Sequence, residues 1–225
     1  MNRVLFISGH PDDHITSAGF LSLLKKKGAE LFEIVLTSGS GGYPLYGDKD
    51  AIAQIRTQEF EKASRLLGMK TTFLLGHDEH TLVMGKENVE EVTRIIREVN
   101  PTIVIIPNRD DYHETHIETN RIATKAIRTA MKRRKLELGE PVQPMIVLEW
   151  EHSVPKQPDI VIDVTNEWPL KEELFKCYGS QITENERQKT MSLNQYRGSM
   201  IESKFAEGFK VNRFIPLRLD KVLGL

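Results

Sequence analysis

The stretch that decides the fold is Val4–Ile7 (VLFI), which runs directly into Ser8–His14 (SGHPDDH). Such a continuous apolar run is typical of a strand buried on both faces of a sheet. A histidine and two adjacent carboxylates then follow at the end of that strand, which is where open α/β sheets bind their ligands. Because burying unpaired charge is costly, these aspartates are either solvated turn residues or hold something positive.

The same alternation continues along the chain. Apolar runs rich in β-branched residues predict further strands at 32–37, 72–75, 102–107, 145–150 and 159–164. Helical patterns predict helices at 16–27, 51–67, 88–99 and 117–135. This order predicts an α/β fold with a Rossmann-like, doubly wound, mostly parallel sheet and helices on both faces. Residues 168–208 read as mainly helical, and 211–217 as an edge strand. With no linker and no internal repeat, we expect residues 1–225 to form a single domain.

Composition excludes several classes of protein. The formal net charge of −1 gives no basic excess for binding nucleic acid or an anionic membrane. No apolar run approaches the roughly 20 residues that a membrane helix needs. Cys177 is the only cysteine, which excludes an internal disulfide and fits a reducing compartment. The N-terminus has no secretory signal pattern. We therefore expect a cytoplasmic protein with neither nucleic acid nor a membrane as a general partner.

A second polar cluster follows the fourth predicted strand. Residues 108–116 read NRDDYHETH and carry two histidines and three carboxylates. In a parallel sheet both clusters emerge at the same edge, so side chains far apart in sequence can meet in one crevice.

The two clusters together have the composition of a metal site. Histidine nitrogen and carboxylate oxygen are common zinc ligands. His10 and Asp13 can reach one ion around a turn, and His116 can supply a third ligand. Three protein ligands leave a position for water, whose pKa zinc lowers to about 7. Asp12 is then placed to take the proton of that water. His113, as a cation, could stabilise an oxyanion or protonate a leaving amine. Each cluster alone is compatible with ordinary turn and helix-start residues.

The pattern resembles the PIG-L/LmbE-like family of zinc-dependent N-acetylglucosaminyl deacetylases. That family has a motif close to Ala-His-Pro-Asp-Asp-Glu after its first strand and one close to His-Pro-Asp-His after a later strand. Here the motifs read HPDDH at 10–14 and HETH at 113–116. The resemblance spans nearly the whole chain. It implies hydrolysis of an N-acetyl group on an N-acetylglucosaminyl or related amino-sugar compound, a Zn²⁺ cofactor, and a homo-oligomer such as a trimer or hexamer. Such sites also accept other divalent metal ions.

The resemblance also implies roles for individual residues. It assigns His10, Asp13 and His116 as metal ligands. It assigns Asp12 as the general base and His113 as the electrophilic or acid partner.

Other positions define or extend the substrate site. By the resemblance Arg56 contacts substrate, and Glu79 stands where the family often has a substrate-contacting Asp. The chain departs from the family where His14 replaces the usual Glu and Thr115 the usual Asp. His14 could contact substrate, add a ligand or support the ligands from behind. Tyr43, after the second predicted strand, could stack on a sugar or lie in an ordinary surface loop.

Two other functions remain as alternatives. One is a metal-dependent amidase acting on a non-sugar amide. The other is a non-enzymatic sugar- or nucleotide-binding protein on the same fold. Acetate release from N-acetyl sugars and metal content of the purified protein distinguish them.

Overall fold

A computed structural model describes residues 2–42, 48–143, 146–152 and 154–217. The strands are β1 Arg3–Ser8, β2 Glu30–Thr37, β3 Thr71–His77, β4 Ile103–Pro107, β5 Ile146–Trp150, β6 Ile160–Asp163 and β7 Ala206–Val211. The helices are α1 Ala18–Lys26, α2 Lys49–Leu67, α3 Lys86–Val99, α4 Glu114–Ala130, α5 Trp168–Phe175 and α6 Glu184–Ser199. A 3-10 turn, Asp13–Ser17, precedes α1. Among these residues, no helix combines the length and the apolar character needed to cross a bilayer.

The strands form one sheet in the order β3-β2-β1-β4-β5-β7-β6. Strand β1 pairs in parallel with β2 on one side and with β4 on the other, so the winding direction reverses at β1. Strand β7 runs antiparallel to both of its neighbours. The predicted α/β fold with a mostly parallel sheet is confirmed. The reversal places the carboxyl ends of β1 and β4 side by side, where such sheets hold their ligands.

Strand β1 is buried by helices on both faces. Val4 and Phe6 belong to one apolar cluster, which includes side chains of α1, α2 and α5. Leu5 and Ile7 belong to the other, which includes side chains of α3 and α4. Successive side chains of a strand point to opposite faces, so the continuous run VLFI supplies both cores. The end of β1 is thereby fixed at the centre of the molecule.

Helix α4 begins earlier and ends earlier than the sequence predicts. Its C-terminal end is set by Arg97 of α3. The guanidinium of Arg97 donates hydrogen bonds of 2.5–3.3 Å to the carbonyl oxygens of Thr129, Ala130, Lys132, Arg134, Lys135 and Gly139. These bonds satisfy carbonyls that a helix end leaves without partners, and they wrap the chain around the arginine. The basic residues 132–135 therefore lie beyond the helix.

The predicted edge strand at 211–217 is wrong. The last strand of the described residues is Ala206–Val211, and it lies inside the sheet between β5 and β6. Gly208 permits this position, because a Cβ atom there would lie 2.7 Å from Oε1 of Glu151. Beyond the strand, the side chain of Asn212 accepts hydrogen bonds from the backbone amides of Phe214 and Ile215. This side-chain bonding closes a turn where a strand would otherwise continue.

A buried ion pair ties β7 to the start of α1. The carboxylate of Glu207 accepts hydrogen bonds from the backbone amides of Gly19 (2.9 Å) and Phe20 (2.8 Å). It also accepts one from Nζ of Lys171 at 2.7 Å, and both side chains of this pair are almost fully buried. Lys171 donates a second bond to Oδ1 of Asn194. The first-turn amides of a helix lack partners within it, so Glu207 serves as a cap supplied from a distant strand.

We predict that Lys171→Met lowers the free energy of unfolding by about 3–5 kcal/mol, because it leaves the Glu207 carboxylate buried without its counter-charge. Lys176→Met is the matched control, since Lys176 pairs with Glu173 on the surface and exposed pairs contribute little. Urea unfolding followed by circular dichroism measures both variants. Equal stability of the two would contradict this assignment.

Candidate active site

The polar residues that follow β1 and β4 meet at the carboxyl edge of the sheet. A cavity of about 590 Å³ opens there. Its lining includes His10, Asp12, Asp13, Arg56, Glu79, His113, Thr115, His116 and His152. Two clusters separated by about a hundred positions in the chain thus share one crevice, as the parallel pairing of β1 with β4 requires. Tyr43 lies outside the described residues.

Asp13 is held by the backbone of its own loop. Its Oδ2 atom accepts hydrogen bonds from the backbone amides of Gly9 (2.8 Å) and His10 (2.9 Å). The other oxygen, Oδ1, lies 3.2 Å from Nε2 of His116 and 3.6 Å from Nδ1 of His10. Burial alone would raise the pKa of Asp13, but the charges and hydrogen bonds of His116 and His10 lower it well below its usual range. Asp13 therefore stays ionised and brings a negative charge between the two rings.

His116 lies in the first turn of α4, between two carboxylates. Its Nε2 atom faces Asp13, and its Nδ1 atom lies 3.3 Å from Oδ2 of Asp111. Burial alone would lower the pKa of His116, but Asp13 and Asp111 overcome that effect and raise the pKa to about 10. Asp111 also accepts a hydrogen bond from the backbone amide of His113. Asp111 is not among the site residues that the sequence predicts, although carboxylates that orient a metal-ligating histidine are common.

His113 completes a cluster of three imidazole rings. One nitrogen from each of His10, His113 and His116 lies within 4.8 Å of the others. Burial, reinforced by the positive charges of His10 and His116, lowers the pKa of His113 to about 4. The ring is therefore neutral at neutral pH, whereas a cation was considered from the sequence. Its buried Nδ1 atom has no hydrogen-bond partner among the described residues.

These side chains fit a divalent metal ion. Imidazole nitrogen and carboxylate oxygen suit zinc and related ions. One available set is His10, Asp13 and His116, which the sequence predicts. The other is His10, His113 and His116, whose nitrogens lie mutually close. The unpaired Nδ1 atom of His113 is a buried polar group that a ligand in the cavity would satisfy.

Asp12 lines the same cavity and is held by Arg56 of α2. Arg56 donates from Nη2 to Oδ1 of Asp12 at 2.7 Å and from Nη1 to the carbonyl oxygen of Gly39 at 2.9 Å. Glycines let the loop after β2 wrap this guanidinium. A Cβ atom at Gly39 would lie 2.6 Å from Cζ of Arg56, and one at Gly42 would lie 2.7 Å from Nη1. Arg56 thus both borders the cavity and fixes the carboxylate of Asp12.

Two further side chains reach the cavity from neighbouring strand ends. Glu79 follows β3, and its Oε2 atom lies 3.2 Å from Nε2 of His10. This hydrogen bond to His10 lowers the pKa of Glu79 and keeps it ionised. His152 follows β5, and its ring centroid lies 5.8 Å from that of His116. His152 is not among the site residues that the sequence predicts, although its position after a strand at the same edge of the sheet is a signal for it.

His14 does not line the cavity. Its ring is fully buried beneath the loop. Its Nδ1 atom lies 2.8 Å from Oε2 of Glu33, and its Nε2 atom lies 2.9 Å from the hydroxyl oxygen of Tyr178. The expectation of a substrate contact or an added ligand is corrected, because both ring nitrogens are bonded inside the protein. The remaining alternative, in which His14 supports the ligands from behind, stays a prediction.

The fold is a doubly wound α/β sheet, and a histidine–carboxylate cluster lies in the crevice where the winding direction reverses. This combination is typical of an α/β protein that binds a ligand at the carboxyl edge of its sheet. Residues 5–127, which contain both motifs, match the sequence model of the family described as PIG-L, GlcNAc-PI de-N-acetylase. The match covers more than half of the chain. The chain therefore belongs to the PIG-L family, and the resemblance seen in the sequence is confirmed.

Individual proteins are similar to this chain in sequence or in fold. The diacetylchitobiose deacetylase of Thermococcus kodakarensis is 25% identical over 232 residues, which cover 96% of this chain and 84% of that protein. The structure of N,N'-diacetylchitobiose deacetylase from Pyrococcus horikoshii has a TM-score of 0.86 at 23% identity, covering 98% of this chain and 85% of that one. The 4-carboxy-2-hydroxymuconate hydratase GalB of Pseudomonas putida KT2440 also has a TM-score of 0.86, at 20% identity and covering 94% of this chain and 96% of that one. The two structures share the fold, which therefore does not select a reaction by itself.

We predict that a divalent metal ion displaces at least one proton when it binds the metal-free protein near neutral pH. The pKa of His116 is raised to about 10, so its ring holds a proton that a metal ion must replace. Metal affinity should accordingly rise with pH across the neutral range. Calorimetry of Zn²⁺ binding in buffers of different ionisation enthalpy counts the protons.

His77→Ala is the control, because His77 pairs with Glu91 away from the cavity and should leave the proton count unchanged. His116→Ala should reduce it. The same proton release from His116→Ala as from the unsubstituted protein would contradict the pKa of His116.

Proposed function

We propose that this protein is a metal-dependent N-deacetylase. It would hydrolyse the N-acetyl group of an N-acetylglucosaminyl or related amino-sugar compound and release acetate and a free amine. The observation that carries the proposal is the convergence of Asp12, His113 and the cluster of His10, Asp13 and His116 on one cavity. Membership of the PIG-L family and the similarity to a diacetylchitobiose deacetylase support it.

Asp12 is proposed as the general base. Its side chain is 23% exposed, and Arg56 fixes one of its oxygens. It can therefore accept a proton from the attacking water while staying in position. The bond from the water oxygen to the carbonyl carbon forms as that proton moves to Asp12. The same carboxyl group then returns a proton to the nitrogen as the C–N bond breaks, so the amine leaves neutral.

His113 is proposed to stabilise the negative charge that develops on the carbonyl oxygen. Because its pKa is lowered to about 4, the ring acts as a neutral hydrogen-bond donor. A donor aimed at a developing oxyanion contributes about 10²–10³ in rate. This role replaces the cationic one considered from the sequence.

The metal ion, proposed to be zinc, would be held by His10, Asp13 and His116. When bound it would polarise the amide carbonyl and lower the pKa of water at the site to about 7. The bond between Asp111 and His116 supports that assignment, because it fixes the orientation of the ring.

The shape of the site supports a substrate larger than one sugar ring. A second cavity of about 830 Å³ adjoins the first. The two share Thr16, Tyr112, His152, Glu186 and Thr190 in their linings. The second cavity is bordered mostly by polar side chains of α6, with tyrosines 112 and 196 beside them, which suit sugar hydroxyls and sugar faces. Arg56 and Glu79 are proposed as further sugar contacts. The contact with Tyr43, a trimeric or hexameric assembly and a cytoplasmic location stay predictions.

We predict that Asp12→Asn lowers kcat for acetate release by about 10²–10⁴-fold, the usual contribution of a general base. Metal content should stay unchanged, because the proposed ligands are intact. Asp110→Asn is the matched control, since Asp110 is mostly exposed in the loop after β4 and does not line the cavity. Acetate is measured on a panel of N-acetyl sugars and non-sugar amides. Turnover of the non-sugar amides alone would replace the sugar assignment by the amidase alternative.

Metal affinity distinguishes the two possible ligand sets. We predict that Asp13→Asn weakens Zn²⁺ binding by more than about 100-fold, beyond what residues that only support a ligand contribute. The amide oxygen of Asn can still accept the backbone bonds that close the loop. His113→Ala should weaken binding by less than about 10-fold and lower kcat instead. Elemental analysis and competition with a chelator measure both, and the reverse order would assign His113 as the third ligand.

A further inference from the structure

A buried chain of hydrogen bonds ends on the backbone of the loop that carries Asp12. It runs from Glu33 on β2 through His14 to the hydroxyl group of Tyr178, and from there to the carbonyl oxygen of Pro11. The Glu33, His14 and Tyr178 side chains are at most 1% exposed, and none of them lines the cavity. We propose that this relay positions the general base by fixing the peptide bond between Pro11 and Asp12. The inference rests on the proposed function, in which Asp12 is that base.

The number of protons on each group determines which member of each hydrogen bond in the relay is the donor. The hydroxyl group of Tyr178 has one proton, and the carbonyl oxygen of Pro11, 2.8 Å away, can only accept. Tyr178 therefore donates to Pro11, and its oxygen accepts a bond from His14 at 2.9 Å. Nε2 of His14 must carry a proton to make that bond. Nδ1 faces Oε2 of Glu33 at 2.8 Å, which holds the ring in this orientation.

The bond to Pro11 anchors the loop from outside. The carbonyl oxygen of His10 accepts from the amide of Asp13, and that of Asp12 accepts from the amide of Ile15, so these bonds stay within the loop and its turn. Tyr178, by contrast, follows α5 and is 167 positions away from Pro11. From outside the loop, Asp12 is thus held at its carboxylate by Arg56 and at its preceding peptide by Tyr178.

The proposed metal ligands have separate supports. Asp13 is fixed by the backbone amides of Gly9 and His10. His116 is fixed by Asp111. Loss of the Tyr178 hydroxyl group should therefore displace Asp12 and leave metal binding intact. A role in general stability would affect both together.

The first experiment uses Tyr178→Phe, which removes only the hydroxyl group. We expect kcat for acetate release to fall about 10–100-fold, because small misplacement of a reacting group has effects of that size. KM and Zn²⁺ affinity should stay within about threefold of the unsubstituted protein. Amide hydrogen exchange at Asp13 and Ile15 should become faster, because their N–H groups bond to the carbonyl oxygens of His10 and Asp12, which flank the peptide that Tyr178 holds.

Leu174→Ala is the control for stability. Leu174 is fully buried on α5, in the same apolar cluster as Tyr178, and it belongs to no part of the relay. It should lower the melting temperature while kcat and exchange at Asp13 and Ile15 stay close to those of the unsubstituted protein. An equal loss of kcat in Leu174→Ala and Tyr178→Phe would overturn the proposal, as would unchanged kcat in Tyr178→Phe.

Variants of Glu33 test the relay at its far end. The amide group of Glu33→Gln can donate to Nδ1 of His14 and keep Nε2 protonated, so kcat should be largely retained. Glu33→Leu cannot hold the ring and should reproduce the loss seen in Tyr178→Phe. Similar kcat values for the two Glu33 variants would overturn the relay.

Failure of the relay and failure of the proposed function are distinguishable. If the unsubstituted protein releases acetate from no N-acetyl compound, the proposed function fails. Amide exchange then still tests the anchoring of the loop: faster exchange at Asp13 and Ile15 in Tyr178→Phe, absent in Leu174→Ala, supports it. Unchanged exchange overturns it.

Discussion

The carboxylate of Asp13 carries the constraint on which the rest of the site depends. One oxygen closes the loop after β1 through the backbone amides of Gly9 and His10, and the other faces His10 and His116. A single side chain therefore sets the shape of the loop and supplies the charge that lets imidazole rings from two strands approach each other. The parallel pairing of β1 with β4 brings the rings within its reach. The strand order, the shape of the loop and the charge of Asp13 therefore act together to form the site.

Two histidines in one helical turn acquire opposite properties from their surroundings. The pKa of His116 is raised to about 10 because two carboxylates outweigh its burial. The pKa of His113 is lowered to about 4 by burial and by its positively charged neighbours. Pairs of titratable groups whose surroundings push their pKa values apart are typical of acid–base sites. The difference between the two pKa values follows from position, since the residue types are identical.

The sequence predicts the central half of the fold well, because buried parallel strands consist of continuous apolar runs such as VLFI. It also predicts that the two polar clusters meet, since both follow strands of one parallel sheet. Its failures have tertiary causes. Helix α4 ends where Arg97 of α3 donates hydrogen bonds to its last carbonyl groups. Strand β7 is defined by its pairing with β5 and β6 on either side of it. The direction of His14 depends on Glu33 and Tyr178, and local sequence does not show which of these partners will lie beside it.

The position of β7 has a consequence for the order in which the molecule assembles. Strands β5 and β6 are joined through β7, although β7 is synthesised after both. Until residues 206–211 leave the ribosome, β5 is an edge strand with unpaired backbone groups, which can pair with another chain. The cap at the start of α1 also forms only after Glu207 has been synthesised, and Glu207 lies 188 positions after Gly19. Long-range closure of this kind slows folding and prolongs exposure of the edge. The completion of the sheet is therefore a late event for which aggregation through β5 is the competing pathway.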